Sequence, residues 1–518
     1  MAGTVIAADT GMPLAKAVLT FRALGAEAQP RYALTDSSGR FEIKGLDPGR
    51  YSLSASHAGY VRMQYDQRSP DSPGTVLTLR PGQAVKDISF RLPRAAAVSG
   101  HIYDEDGNPI EHAQVHAMSY RYFRGSRQLL PVGFATTDDR GEYRIFDLAP
   151  GQYYVSASFN AGQFGQGPAS LSYPETFYPS TTDSSGATPI QLAAGDDLPG
   201  VDISLTPTPT FHIRGKVFNA VSNRPGEGVM VFLLPRGGSL TNVFSFTGQN
   251  YVRNHQGEFD LAGVRPGSYF LIARSVSNGT ELQTRVPVDV TNADVNGLSV
   301  TLTPGIDIQG QVRTAGGKLD LSGVRLFLQP RDQSIYFSSE TDSPDRNGNV
   351  VFHHVGDGGY KLEVWGLPPD AYVKSILLNG QDVRVDGFDV NEGQNPGMLE
   401  IVIDSNGGRV SGTVLRDDKP FNNAQVVLLP EGGKVAKDSD LTKETTTDQY
   451  GVFVIRGIRP GTYRVMAFEQ IEEDAWTDPN FISRLKDQGT EVEVDDGTAC
   501  NVQLQVIPAS KTTSAETE

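Results

Sequence analysis

The sequence predicts an all-β chain, a tandem and elongated array of about five β-sandwich domains, and three observations carry that prediction. One stretch, Gly39-Arg-Phe-Glu-Ile-Lys-Gly-Leu-Asp-Pro-Gly-Arg-Tyr-Ser-Leu-Ser-Ala55, returns along the chain. Its copies open at Gly141, Gly257 and Gly451, and a degraded copy opens at Gly348, where the proline is lost but Gly359-Tyr360 is kept. At 518 residues the chain is too long for one core, and copies recurring at intervals of about 100 residues imply domains of ordinary size. Glycine (56) and proline (32) are plentiful, and no long stretch shows helical periodicity, which favours many short strands.

The domains are read as residues 1–93 (N-terminally clipped), 97–206 (with aromatic insertions), 210–304, 306–405 (divergent) and 408–508, with 509–518 an unordered tail. Each opens on a Gly-x-Val/Ile strand: Gly3-Thr-Val, Gly100-His-Ile, Gly215-Lys-Val, Gly310-Gln-Val, Gly412-Thr-Val. A turn rich in Asp, Gly, Asn and Pro follows, as in Asp104-Glu-Asp-Gly-Asn-Pro109, and then a strand of small and aliphatic residues. Next comes a polar turn before the repeated stretch, such as Asp36-Ser-Ser-Gly39 or Asp448-Gln-Tyr-Gly451. In the stretch itself Phe41 and Ile43, then Tyr51, Leu53 and Ala55, alternate with polar residues, so each run has one buried and one wet face. The Pro-Gly pair reverses the chain between them, which reads as a hairpin. Paired strands around an acidic or Gly-containing turn close each unit, as in 76–90.

The joints are short. Leu92-Pro93-Arg94, Leu205-Thr-Pro-Thr-Pro-Thr210 and Leu302-Thr-Pro-Gly305 are stiffened by proline, and Asp404-Ser-Asn-Gly-Gly408 is expected to bend most. A row of semi-rigid beads follows from this. One short helix is expected at Asp478-Pro-Asn-Phe-Ile-Ser-Arg-Leu-Lys486, where Asp caps and Pro fits the first turn.

A net charge of −16 repels phosphate backbones and anionic lipid, so nucleic acid is not expected as a partner. No apolar run approaches the ~20 residues that cross a bilayer as a helix. Cys500 is the single cysteine, so no internal disulfide forms. The N-terminus carries no basic region followed by an apolar one, and the reading expects an export signal or a leading strand upstream.

The Gly-x-Val, Asp-x-x-Gly-x-Phe/Tyr and Leu-x-Pro-Gly-x-Tyr signatures resemble carboxypeptidase regulatory-like repeats, strongly in repeats 1, 2, 3 and 5 and weakly in repeat 4. The resemblance implies Ig-like or transthyretin-like (prealbumin-like) sandwiches related to collagen-adhesin B-type and starch-binding-domain-like folds. It also implies a bacterial protein that is secreted, periplasmic or on the cell surface. It does not confer peptidase activity.

The short metal-ligating and catalytic patterns in the sequence coincide with turns and strand faces. His255-Gln-Gly-Glu258 has the spacing of a zinc pair, yet these positions align with the polar turns of repeats 1 and 2. His112 and His116 share one strand face with Gln114, and His353-His354 occupy opposite faces. Acidic clusters such as Asp104-Glu105-Asp106 and Glu472-Glu473-Asp474 lack a full calcium-ligand spacing. A Lys-Asn isopeptide is not expected, since repeat 1 offers Lys16 and Glu42 without an Asn and repeat 5 offers Asn501 with Val452 in the Glu place. No catalytic, cofactor or metal residue is assigned. The candidate ligand surface is aromatic and lies in repeat 2: Tyr120, Tyr122, Phe123, Phe164, Tyr173, Phe177 and Tyr178. Flat rings stack on sugar faces; they also pad sheet edges and domain joints.

The leading expectation is a non-enzymatic, monomeric spacer and adhesion or protein-interaction module, with an envelope or extracellular protein as partner. The alternatives are a carbohydrate-binding protein that takes polysaccharide on repeat 2, and an accessory segment of a secreted peptidase or outer-membrane receptor.

Overall fold

The computed structural model describes all residues except 25–28, 71, 124, 161–170, 237–246, 278–279, 332–339, 392–393, 432–440 and 513–518. Five principal apolar cores follow one another, drawn from residues 5–92, 96–205, 213–302, 308–403 and 410–504. Each lies between two sheets, because strands with period-two patterning have one apolar face to bury. In repeat 1 one sheet orders Arg40–Glu42, Ala2–Ala7 and Ile88–Leu92. The other orders Arg31–Leu34, Val18–Ala23, Gly49–Ser56 and Met63–Gln64, with Leu77–Leu79 also on Gly49–Ser56.

The repeated stretch forms an arch where the sequence suggested a hairpin. Its first strand pairs with the opening strand of the unit (Phe41 with Gly3, Tyr143 with Gly100, Phe259 with Gly215, Phe453 with Gly412). Its second strand joins the opposite sheet (Leu53 with Phe21, Val155 with Ala117, Leu271 with Leu233, Val465 with Leu428). The Pro-Gly corner therefore carries the chain across the sandwich. A tyrosine holds each corner by donating its hydroxyl to the carbonyl four residues upstream: Tyr51 to Asp47, Tyr153 to Ala149, Tyr269 to Arg265, Tyr360 to Gly356 and Tyr463 to Arg459, at 2.6–3.0 Å. Repeat 4 keeps this bond although its proline is gone.

The closing strands do not pair with each other either. Leu77–Leu79 borders Gly49–Ser56, while Ile88–Leu92 runs parallel to Ala2–Ala7 in the other sheet. Every repeat has this parallel pairing of opening and last strands. It explains the glycine of Gly-x-Val, since a Cβ on Gly412 would stand 1.9 Å from the Val502 carbonyl oxygen and one on Gly100 2.2 Å from that of Val201.

Two further polar anchors recur. The first residue of each polar turn accepts from the amides two and four positions on: Asp36 from Ser38 and Arg40, Asp138 from Arg140 and Glu142, Asn254 from Gln256 and Glu258, Asp345 from Asn347 and Asn349, Asp448 from Tyr450 and Val452. In repeats 1, 2 and 5 a buried threonine precedes it. Thr35, Thr137 and Thr447 accept from the amides of Ala17, Ala113 and Ala424, each at 2.8 Å, and donate to the carbonyls of Leu14, Ile110 and Phe421. The residue before each alanine sits at positive φ: Lys16 at 61°, His112 at 62° and Asn423 at 54°. His112 is thus a turn residue, its ring 3.3 Å from the Glu111 carboxylate.

Repeat 5 buries the central strands of its second sheet, Gln425–Pro430 and Gly461–Phe468, on both faces over much of their length. The strand Gln425–Pro430 is buried at every position, as its unbroken apolar run requires. A sixth cluster covers the outer side: Val427, Leu429, Met466 and Phe468 pack under Trp476, Phe481 and Leu485. Phe481 belongs to the helix Pro479–Ser483, which Asp478 caps by accepting from the Asn480 amide at 2.8 Å. Residues 509–512, placed by the sequence reading in an unordered tail, form a helical turn tied to repeat 5 through Ala509 to Glu469 and Thr512 to Gln470.

The joint expected to bend most is close-packed. Gly407 donates to Asp370 at 2.8 Å, a Cβ on Gly457 would meet the Ala371 carbonyl oxygen at 2.6 Å, and Tyr372 donates to Asp496 at 2.8 Å. Here glycine serves close backbone approach and not hinging. Nor do the joints leave a straight row, because repeat 5 is seated against repeats 1 and 2.

Candidate functional site

In strand Gln114–Phe123, Val115 and Ala117 point into the core and Met118, Tyr120 and Tyr122 point outward. Phe177 is buried on that outer face with Met118 and Leu129, and Tyr120 meets Tyr154 edge-on at 5.4 Å beneath the Arg127 guanidinium. Tyr122 leaves its own repeat and meets Phe481 of repeat 5 at 6.1 Å. Burial beside Glu472 and Asp478 raises its phenol above the ordinary value. Two bonds frame the contact, Arg127 to Glu472 and the Gly125 amide to Thr477, each at 3.2 Å. Phe123 is half-buried at the strand end. Tyr173 and Tyr178 pack against the repeat 2 core, and Tyr173 donates to Glu105 at 3.0 Å. Burial, together with that bond, pushes the Tyr173 phenol up to about 12. Phe164 lies outside the described residues. The sequence groups these aromatics as one surface, and among the described residues the structure divides them between an outer sheet face, a core edge and a joint with repeat 5.

A second joint, between repeats 5 and 1, had no place in the sequence reading. Gln449 and Tyr450, the two middle residues of the fifth polar turn, reach repeat 1. Gln449 accepts from the Thr78 amide at 2.9 Å and donates to its carbonyl at 2.8 Å. Thr78 also donates to Asp448 at 2.9 Å, and Tyr450 accepts from Gln83 under the Arg80 guanidinium. Asn422 and Asn423 donate to the Asp66 carboxylate and carbonyl, both at 2.6 Å. The guanidinium groups of Arg68 (4.4 Å) and Arg416 (4.2 Å) both lie against the ring of Phe421, and both arginines pair with Glu469. The hydrogen bond from Arg416, with the charges of both arginines, holds the Glu469 carboxyl below the usual carboxylate range. The available sequence signal was the pair of variable residues inside an otherwise repeated turn.

The histidines and acidic residues of the short metal-like patterns have local roles. His255 pairs with Glu227 and Glu258 with Lys216, both at 3.0 Å, so the two do not converge. His116 is half-buried, which lowers its pKa, and His353 pairs with Asp307. Asp104 accepts from the amides of Asp106 and Asn108 as a turn residue. Lys16 is exposed, and Glu42 pairs with Lys44. Among the described residues no three His, Cys, Asp or Glu side chains gather as a metal site would need, and no helix is long and apolar enough to cross a membrane.

Parts of the chain are similar to known proteins. Residues 1–93 and 97–172 match the carboxypeptidase regulatory-like domain family. Serine-aspartate repeat-containing protein D of Staphylococcus aureus (strain MW2) is 23% identical over 419 residues, covering 69% of this chain and 28% of that protein. Colossin-A of Dictyostelium discoideum is 23% identical over 373 residues, 64% of this chain and 3% of that protein. The chain therefore spans less than a third of the length of these relatives. Among solved structures, a Streptococcal ancillary pilin aligns over 59% of this chain and 100% of its own, with 12% identity and a TM-score of 0.21. The chain is an all-β protein of β-sandwich repeats, of which residues 1–93 and 97–172 match the carboxypeptidase regulatory-like domain family.

Proposed function

We propose that the chain is a non-enzymatic structural spacer and protein-interaction module of the bacterial envelope or exterior. One observation carries this reading: the polar residues that recur from repeat to repeat are spent on the fold. The turn Asp or Asn, the buried Thr and the corner Tyr each close backbone hydrogen bonds inside their own sandwich. Residues that vary between repeats, Gln449, Tyr450 and Tyr122 among them, join one sandwich to another. Repetition in such a chain extends and stiffens it rather than multiplying an active site. Similarity to repeat-built relatives supports the same role, and each sandwich with its core is taken as the unit of construction.

The test is a panel of peptide and ester substrates offered to the full chain with and without added zinc. No turnover above the buffer rate is expected. Metal-dependent turnover that disappears in His255→Ala would sink the proposal.

A further inference from the structure

We infer that the contact between the first and last repeats is a latch that sets the length of the spacer, closed when repeat 5 docks on repeats 1 and 2 and extended when it lets go. The inference rests on the structural reading above.

Three features of the contact point to a latch and not to a permanent core. First, chain connectivity does not impose it, since it joins residues 354 to 401 positions apart. Second, its chemistry differs from that of the sandwich interiors. Each interior is a cluster of Val, Leu, Ile, Phe and Tyr, whereas the contact with repeat 1 is made by Asp66, Arg68 and Thr78 meeting Asn422, Asn423, Gln449 and Glu469. Groups of that kind are solvated well when exposed, so both faces stay soluble after separation. Joints of this polarity resemble transient protein–protein interfaces, and relative motion of the domains is the default across them. Third, the contact is specific. Gln449 satisfies both the amide and the carbonyl of Thr78, a parallel bridge sets Val76 beside Asp448, and the Phe421 ring is met by the guanidinium groups of both Arg68 and Arg416. Aromatic rings add an apolar share: Phe421 against Arg68, Tyr450 against Arg80 and, from repeat 2, Tyr122 against Phe481.

Side chains on these turns face another domain, so parting the faces exposes ionic and amide groups while the buried threonines, corner tyrosines and cores stay within their own sandwiches. Opening is thus a sub-global event, well below the cost of unfolding a domain. The Arg127–Glu472 pair is exposed and the Arg68–Glu469 pair partly so, and such pairs weaken with salt, so the latch is weaker at high ionic strength.

The experiment uses the full chain in solution, with small-angle scattering for its largest dimension and energy transfer between dyes on repeats 1 and 5. At low salt the wild type is expected to be compact with high transfer. The double variant Arg68→Glu/Gln449→Ala is expected to lose most of that transfer and to lengthen about 1.5-fold, as five domains of about 100 residues change from a closed to an open row. A second variant, Asn422→Ala/Asn423→Gly, preserves the turn conformation and is expected to shift the same way by a smaller amount. Near-ultraviolet circular dichroism checks that the sandwiches remain folded. Two results overturn the latch: a wild type already extended at low salt, or both variants as compact as the wild type at low and at high salt. Turnover in the substrate panel would refute the structural reading without touching this measurement, so the two failures are distinguishable.

Discussion

Replacing Thr137 by valine tests whether the buried threonine is an anchor of the sandwich. The substitution keeps the shape of the side chain and removes one hydroxyl. That hydroxyl accepts from the Ala113 amide at 2.8 Å and donates to the Ile110 carbonyl at 2.6 Å, and Thr137, Ala113 and Ile110 are all buried. Valine leaves one donor and one acceptor dry and without their partner. An unsatisfied buried group costs about 1–3 kcal/mol, so with partial relaxation the loss is about 2–4 kcal/mol. For a domain of about 100 residues this lowers the melting transition by at least about 8 °C. Thr137→Ser keeps the hydroxyl and loses one methyl group, which costs only about 1 kcal/mol. The assay is calorimetry of the full chain, with hydrogen exchange of the repeat 2 amides to assign the transition. Valine within 0.5 kcal/mol of wild type, about the ordinary scatter of a neutral change, or serine worse than valine, would refute the reasoning.

Three further outcomes are expected. Gly412→Ala drives a methyl group into the Val502 carbonyl and should destabilise repeat 5 by about 3 kcal/mol or more, read as early hydrogen exchange of strand Ala499–Gln505; unchanged protection would contradict the close approach. Because the folded Glu469 carboxyl lies below its unfolded value, its contribution is present above the unfolded pKa of about 4.3 and is lost as pH falls; transfer between repeats 1 and 5 should therefore decline from about pH 5 downward, and a Glu469→Gln variant with the same decline would remove this carboxyl as the cause. Tyr122→Ala should loosen the joint at Phe481, seen as faster proteolysis between repeats 2 and 5, with retention on polysaccharide unchanged; a drop in retention would favour sugar recognition by repeat 2 instead.

Local patterns were the legible part of this molecule. Alternation in Phe41-Glu-Ile43 and Tyr51-Ser-Leu53 marks which side chains enter the core, and all of these apolar ones are buried. Asp478-Pro479 marks the helix start, where both residues have the expected cap roles. What the same patterns misjudged was pairing. A Pro-Gly corner between two alternating runs reads equally as a hairpin or as an arch between sheets, because alternation says which face is buried and not which strand lies alongside. The Gly407-Gly408 pair shows the same limit, since glycine suits a hinge and a close contact alike.

The sequence by itself determined the repeated all-β units, their cores and their polar turns, since each follows from residue periodicity and backbone preference within about 20 residues of chain. Only the tertiary structure decided that Gln449 and Asn422 of the last repeat meet Thr78 and Asp66 of the first, and that Tyr122 serves a joint. The physical reason is that surface amides, carboxylates and rings are stable against water or against a partner alike. Their roles depend on which other surface the folded chain places within hydrogen-bond reach, and no local pattern encodes that distance.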